Sequence, residues 1–289
     1  MRNFLCFLCS MMYFFSYGQD TSEFMGAIKL NDTSFISYSV HFTEKEGVID
    51  GYSITDLGGP HETKSMISGF FNDKENRISF REQGIVYTKS EVSSDDFCFV
   101  NFKGSLKKLN GKGEIKGDFK GLYSDGQECI SGEILMADMQ KIQKKAKKLD
   151  KKIDRNIFVK KEVKEKINVV KLVDSLKTTF ISKDETLNFF SKDKKITIVL
   201  YDAGQEDGDK INLKIDSKVV LRNYVVTKHK KKIEIVLDKP ETVLELEALN
   251  IGKVSPNTVF LEIEDSSNNY KALTNLKIRE KASIVLLKR

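Results

Sequence analysis

The chain has no tryptophan, three prolines and three histidines in 289 residues. Without tryptophan it lacks one common sugar-stacking side chain. The histidines, His41, His61 and His229, are far apart in the sequence, so no zinc-binding spacing is present. A nucleophile elbow, a phosphate-binding loop and a dinucleotide fingerprint are also missing. After residue 18 no stretch approaches the roughly 18 apolar residues that a membrane-spanning helix needs. Hydrophobic residues make up 40% of the chain and charged residues 31%, which suits packed cores and argues against global disorder.

What is present begins with a leader. Arg2 precedes an almost wholly apolar run from Phe4 to Phe15, followed by Ser16-Tyr17-Gly18-Gln19. One positive charge, a short apolar core and small residues before the cut describe a secretory signal peptide over residues 1–18, with Gln19 first in the mature chain. Export to a periplasmic or extracellular location is expected. Cys6 and Cys9 leave with the leader, and an exported chain left with two cysteines, Cys98 and Cys129, is expected to join them in one disulfide.

Charge is unevenly distributed. Residues 19–136 hold 19 acidic and 13 basic residues, whereas residues 137–166 hold 5 acidic and 12 basic. The basic surplus therefore belongs to a connector and not to an aromatic-rich face of a folded domain. Nucleic acid is not an expected partner.

Residues 19–137 read as a β-domain. Alternation is clearest at Ile36, Tyr38, Val40 and Phe42, with small or polar residues between them. Further strands are expected at Phe24–Leu30, Val48–Thr55, Thr63–Phe71, Ile78–Lys89, Phe97–Lys103, Gly113–Leu122 and Cys129–Met136. Glu46-Gly47, Asn110-Gly111 and Asp125-Gly126 supply turns, and Gly84 a bulge. Eight antiparallel strands in sequence order resemble the calycin barrels, such as lipocalins and avidins, in architecture alone. The lipocalin glycine–tryptophan signature is impossible here, and no binding residue carries over. Such a barrel is either filled by side chains or holds one small ligand. Gly111, Gly113, Gly117 and Gly121 would leave space or permit sharp curvature. His41 and Glu82 are polar residues within strands. They are the candidate ligand-facing pair in a barrel mouth, or else polar residues that are either solvent-exposed or satisfied in the core.

Residues 138–182 form a basic connector. Asp138 can cap a helix, and Met139, Ile142, Ala146, Leu149 and Ile153 trace one narrow apolar stripe among lysines. This is the pattern of a spacer helix on the acidic barrel, or of one docking on another anionic partner. Ile167 to Leu172 could form a strand.

From 183 to 289 short β-branched runs return at a spacing that suits an immunoglobulin-like sandwich. Two loops mark it: Asp202-Ala203-Gly204-Gln205-Glu206-Asp207-Gly208-Asp209, and Asn250-Ile251-Gly252-Lys253-Val254-Ser255-Pro256-Asn257-Thr258. Together they resemble a recurrent module of bacterial exported proteins, with Ser255 replacing its first proline. The resemblance implies export and a β-sandwich but no activity. Asp202, Glu206, Asp207 and Asp209 place four carboxylates within eight residues, a set of hard oxygens suited to Ca²⁺. The plainer alternative is an Asp-Gly turn with solvated acids.

The expectation is a mainly β, exported, non-enzymatic protein that binds a small ligand, a glycan or a protein partner of the envelope. A secreted hydrolase using barrel acids, or a structural and adhesive envelope protein, is the alternative.

Overall fold

The computed structural model describes residues 21–91, 97–107, 113–156, 168–202, 206–253, 256–267 and 269–289. The leader, the Asn110-Gly111 turn, residues 203–205 and 254–255, and the tail of the connector from 157 to 167 lie outside them.

Eight strands form the first unit: β1 (Thr21–Lys29), β2 (Phe35–Lys45), β3 (Val48–Thr55), β4 (Thr63–Asn72), β5 (Arg77–Thr88), β6 (Phe99–Lys107), β7 (Glu114–Leu122) and β8 (Glu128–Asp138). Each pairs antiparallel with its neighbours in sequence. β1 pairs with β8 and β5 with β6, so the barrel is closed by backbone hydrogen bonds all the way round. The turns follow local chemistry. Glu46 and Gly47 both take positive φ, 53° and 81°, giving the two-residue turn whose twist matches the flanking strands.

Alternation then decides what goes inside. Phe24, Tyr38, Phe42, Phe80, Phe102 and Phe119 point inward and form one buried cluster with Ile28, Val40, Ile49, Ile67, Leu106 and Ile134. Phe24 stacks on Phe42 and Phe80 on Phe102, with centroids 5.9 and 4.9 Å apart. The lumen is therefore filled by side chains, one of the two outcomes open to a barrel of this size. The glycines act through curvature and close approach. A Cβ on Gly117 would stand 2.4 Å from the Cα of Gly104 on the adjacent strand. A Cβ on Gly121 would stand 2.3 Å from the Cys98 sulfur. Gly121 thus leaves room for Cys98 and Cys129, which flank β7 at one end of the barrel with sulfurs 1.97 Å apart.

The bulge expected at Gly84 is present. Met66 pairs with Gly84 but Ile67 with Glu82, and a second slip lies between Lys64 and Ser65. These slips change what β5 does. Beyond them Ile85, Val86, Tyr87 and Thr88 are all buried. Tyr87 and Thr88 pair with Phe189 and Asn188 of β10 (Thr186–Ser191). Val86 and Tyr87 belong to the core of the second unit. The two units therefore share one continuous sheet.

The connector is helical at Met139–Arg155 and at Val169–Ser175. Asp138 ends β8, and its carboxylate accepts the Gln140 N–H at 2.8 Å to start α1 (Met139–Arg155). Met139 is buried with Met25 and Leu57 of the barrel, and Ile142 packs against them. Ala146 is buried, but Leu149 is 46% exposed, so the stripe is only partly used. Lys141 pairs with Glu114 of β7, so the acidic barrel does meet the basic helix. Ile167 of the strand considered for Ile167 to Leu172 lies outside the described residues, and Val169 to Leu172 instead begin helix α2 (Val169–Ser175). Side chains decide this: Asn168 caps Lys171, and the Asp150 carboxylate accepts the N–H groups of both Val169 and Val170.

The second unit begins at β9 (Thr179–Ser182), four residues before the boundary read from the sequence. It is a β-sandwich. One layer runs β13-β12-β15-β18-β10, and the other runs β14-β11-β16-β17-β9. Its strands after β10 are β11 (Lys195–Tyr201), β12 (Lys210–Ile215), β13 (Lys218–Val225), β14 (Lys231–Val236), β15 (Glu241–Ala248), β16 (Phe260–Glu264), β17 (Asn269–Asn275) and β18 (Lys281–Lys288). β9 and β10 each pair parallel with their partners, β17 and β18, so the entering chain contributes to both layers. Among the described residues no helix is long and apolar enough to cross a membrane.

Candidate functional site

The structure separates His41 from Glu82. On β2, Tyr38, Val40 and Phe42 face the lumen, which puts His41 on the outer wall; Glu82 faces in. Glu82 is fully engaged. Its Oε1 accepts the hydroxyls of Tyr38 at 3.0 Å and Ser53 at 2.5 Å, and its Oε2 accepts the Val100 N–H at 2.9 Å. Burial raises its carboxyl above the usual range, and the three hydrogen bonds oppose that rise. Its described partners include no acid, so paired-carboxylate chemistry has no second member here.

His41 sits where the barrel wall, α2 and the sandwich converge. Its ring stacks on Tyr52, centroids 4.6 Å apart, and its Nε2 lies 4.0 Å from Glu23. Glu23 in turn pairs with Lys177 at 2.9 Å. The Lys64 ammonium lies 3.6 Å from the centre of the Tyr52 ring and 4.9 Å from that of Tyr270, which comes from the sandwich. Close by, the Tyr87 hydroxyl donates to Glu62 at 3.0 Å and bonds the Thr179 hydroxyl at 2.6 Å. These groups join barrel to sandwich, and sequence separation hid them.

Burial pushes the His41 imidazole down to about 4; Glu23 opposes this, and Lys64 and Lys177 add to it. The unfolded chain takes up a proton near pH 6.5 that folded His41 refuses until about 4. Its contribution to stability is therefore complete above pH 6.5 and is lost progressively as pH falls to about 4. The shift corresponds to on the order of 3 kcal/mol. Urea melts at about pH 7 and about pH 5 are expected to differ less for His41→Gln than for the wild type. Equal pH dependence in both proteins would remove His41 from this role.

The outer wall has a different character around Phe70 on β4. Register places Val48, Phe70, Ser79 and Lys103 in one row across four strands, and Asp50, Ser68, Arg81 and Asn101 in the next. Phe70 is 66% exposed and Val48 44%, well above what a packed side chain shows. Three shallow concavities meet at Phe70. The middle one, about 440 Å³, is floored by the small residues Ser68, Gly69 and Ser79 and flanked by Arg81, Asn101 and Lys103. That volume falls within the range of small-ligand sites. Among the described residues neither Arg81 nor Lys103 has an ion-pair partner. An exposed aromatic face, small floor residues and two cations without an ion-pair partner among the described residues suit a ligand with one apolar or ring face and polar or anionic groups. Sequence reasoning missed this surface, because Phe70 sits in an ordinary alternating strand. The adjacent Phe70-Phe71 pair was the available signal in the sequence, since the row with Val48 follows only from register.

In the sandwich, Asp202, Asp207 and Asp209 lie at one end, where the two marked loops meet. Asp202 and Asp209 are buried. Glu206 is exposed, and its Oε1 accepts the Lys228 N–H, so it is occupied elsewhere. Among the described residues no three His, Cys, Asp or Glu side chains form a group that could hold a metal by themselves.

Comparison with protein-family models, with curated proteins and with solved structures finds no match to this chain.

Proposed function

We propose that the chain is an exported, non-enzymatic binding protein, acting in the periplasm or outside the cell, whose ligand docks on the outer wall of the barrel around Phe70. One observation carries this reading: the lumen is packed with aromatic side chains, while the exposed Phe70 stands where three concavities converge. The leader and the Cys98–Cys129 pair support export. The two engaged oxygens of Glu82 weigh against the hydrolase reading. A small ligand, a glycan or a protein partner remains the class of ligand, and the face favours one that offers a ring and negative charge.

An array of neutral and acidic oligosaccharides probed with mature protein tests this. Wild type is expected to bind an acidic member at least about tenfold more tightly than Phe70→Ser, the effect expected when a central aromatic anchor is lost. Equal signals from the two proteins would contradict the site. An absence of binding by wild type would favour a structural or adhesive envelope role. Release of shortened sugars would favour a hydrolase.

A further inference from the structure

The two loops marked in the sequence interlock. Asn250 Oδ1 accepts the Lys210 N–H at 2.6 Å, and its Nδ2 donates to the Gly208 carbonyl at 2.8 Å. Gly252 has φ +56°, and a Cβ there would lie 2.3 Å from Asp207 Oδ1. The missing side chain thus lets the Asp207 carboxylate seat against the second loop. Asn257 donates through Nδ2 to the carbonyls of Asn250 at 3.0 Å and Lys210 at 3.3 Å. Those two bonds fix the orientation of its amide. The Thr258 N–H donates to Asp209 Oδ2 at 2.9 Å, which draws that carboxylate against the chain beside Asn257.

Among the described residues, Asp209 Oδ1 and Asn257 Oδ1 are buried without a donor, in residues 2% and 0% exposed. Glu62, Glu82 and Glu262, also buried, each accept hydrogen bonds from named donors. A buried acceptor without a donor is costly, and a buried charge more so. These two oxygens belong to residues held together by the Thr258–Asp209 and Asn257–Lys210 bonds; one is a carboxylate oxygen to which Asp202 and Asp207 add negative field, and such a pair calls for a cation.

We propose that the interlocked loops bind one calcium ion through Asp209 Oδ1 and Asn257 Oδ1, with Asp202 and Asp207 providing compensating charge. Calcium is the choice because the donors are hard oxygens, charged and neutral, and its shell of six to eight ligands accepts main-chain carbonyls and water to complete it. This set differs from the one read in the sequence: Glu206 leaves it and Asn257 enters. Burial raises the Asp209 carboxyl to about 6 against the opposing Thr258 N–H, and Asp207 and Asp202 add to the rise.

Thermal melting of the mature protein near neutral pH, in millimolar calcium chloride and in EDTA, tests the assignment. A ligand that binds the folded state alone must raise Tm, so a Tm several degrees higher in calcium is expected. Asp209→Asn keeps the shape and the acceptor for Thr258 and is expected to abolish the calcium increment. Asn257→Asp is expected to tighten calcium binding in calorimetric titration while lowering Tm in EDTA. Identical wild-type Tm in calcium and EDTA, with no heat of calcium binding, overturns the proposal. A Tm that rises on acidification through about pH 6 and ignores calcium overturns it in favour of a bound proton.

Discussion

Glu82→Ala is expected to destabilise the protein by about 3–5 kcal/mol, the range for stripping buried polar partners and leaving a void. The Tyr38 and Ser53 hydroxyls and the Val100 N–H would lose their acceptor inside a lumen otherwise filled with apolar side chains. Glu82→Gln is expected to cost far less, about 1 kcal/mol or under. Its amide oxygen can take the Val100 N–H, and the two hydroxyls can rotate to accept from the NH₂ group. The folded carboxyl is raised relative to its unfolded value, so its contribution is fully present below the unfolded value and is lost as pH rises through the folded one. The neutral Gln variant is expected to lack that pH dependence. Denaturant melts of the three proteins check this. An alanine variant as stable as wild type would mean that Glu82 is not the buried acceptor described. A hydrolase relying on Glu82 would lose activity in the Gln variant while keeping its stability.

The second large effect is expected at the cysteines. Cys98 and Cys129 are 31 residues apart in sequence, and a bond closing a loop of that size is worth about 3–4 kcal/mol on the chain-entropy account. Replacing both by serine is expected to lower Tm by roughly 7–14 °C, taking the sensitivity typical of a chain of this size. Mature protein is expected to show no alkylatable thiol until it is reduced. Two thiols labelled without reductant, or a double serine variant that melts with wild type, would contradict the bond.

The parts of the fold that showed in the sequence are those that local physics controls. Period-2 alternation located all eight barrel strands, because one face of each had to be buried. Positive-φ turns at Glu46-Gly47 and the bulge near Gly84 were legible for the same reason. The junction was less so. The run Ile85-Val86-Tyr87-Thr88 breaks alternation, which is the pattern of a strand covered on both faces, yet nothing in it names β10 as the partner. At Val169–Ser175 the capping carboxylate comes from Asp150, 19 residues before Val169, too remote for any local pattern to reveal. The candidate sites divide likewise. The acidic loop is visible as a string of letters, whereas Asn257 joins it through tertiary contacts. Phe70 stands out once its row with Val48 and its exposure are known, both consequences of register. His41 and Glu82, a candidate pair in one dimension, fall on opposite sides of the barrel wall.

Binding is proposed on the outer wall and not in the lumen. Chemical-shift mapping of an anionic anilinonaphthalene dye on the mature, deuterated protein tests it most directly, since such a dye combines aromatic rings with one negative charge. Saturable shifts are expected at the amides of Ser68, Phe70, Ser79, Arg81 and Lys103, abolished by Phe70→Ser. Shifts concentrated at Tyr38, Phe42, Phe102 and Phe119 would place the ligand inside the barrel and contradict it.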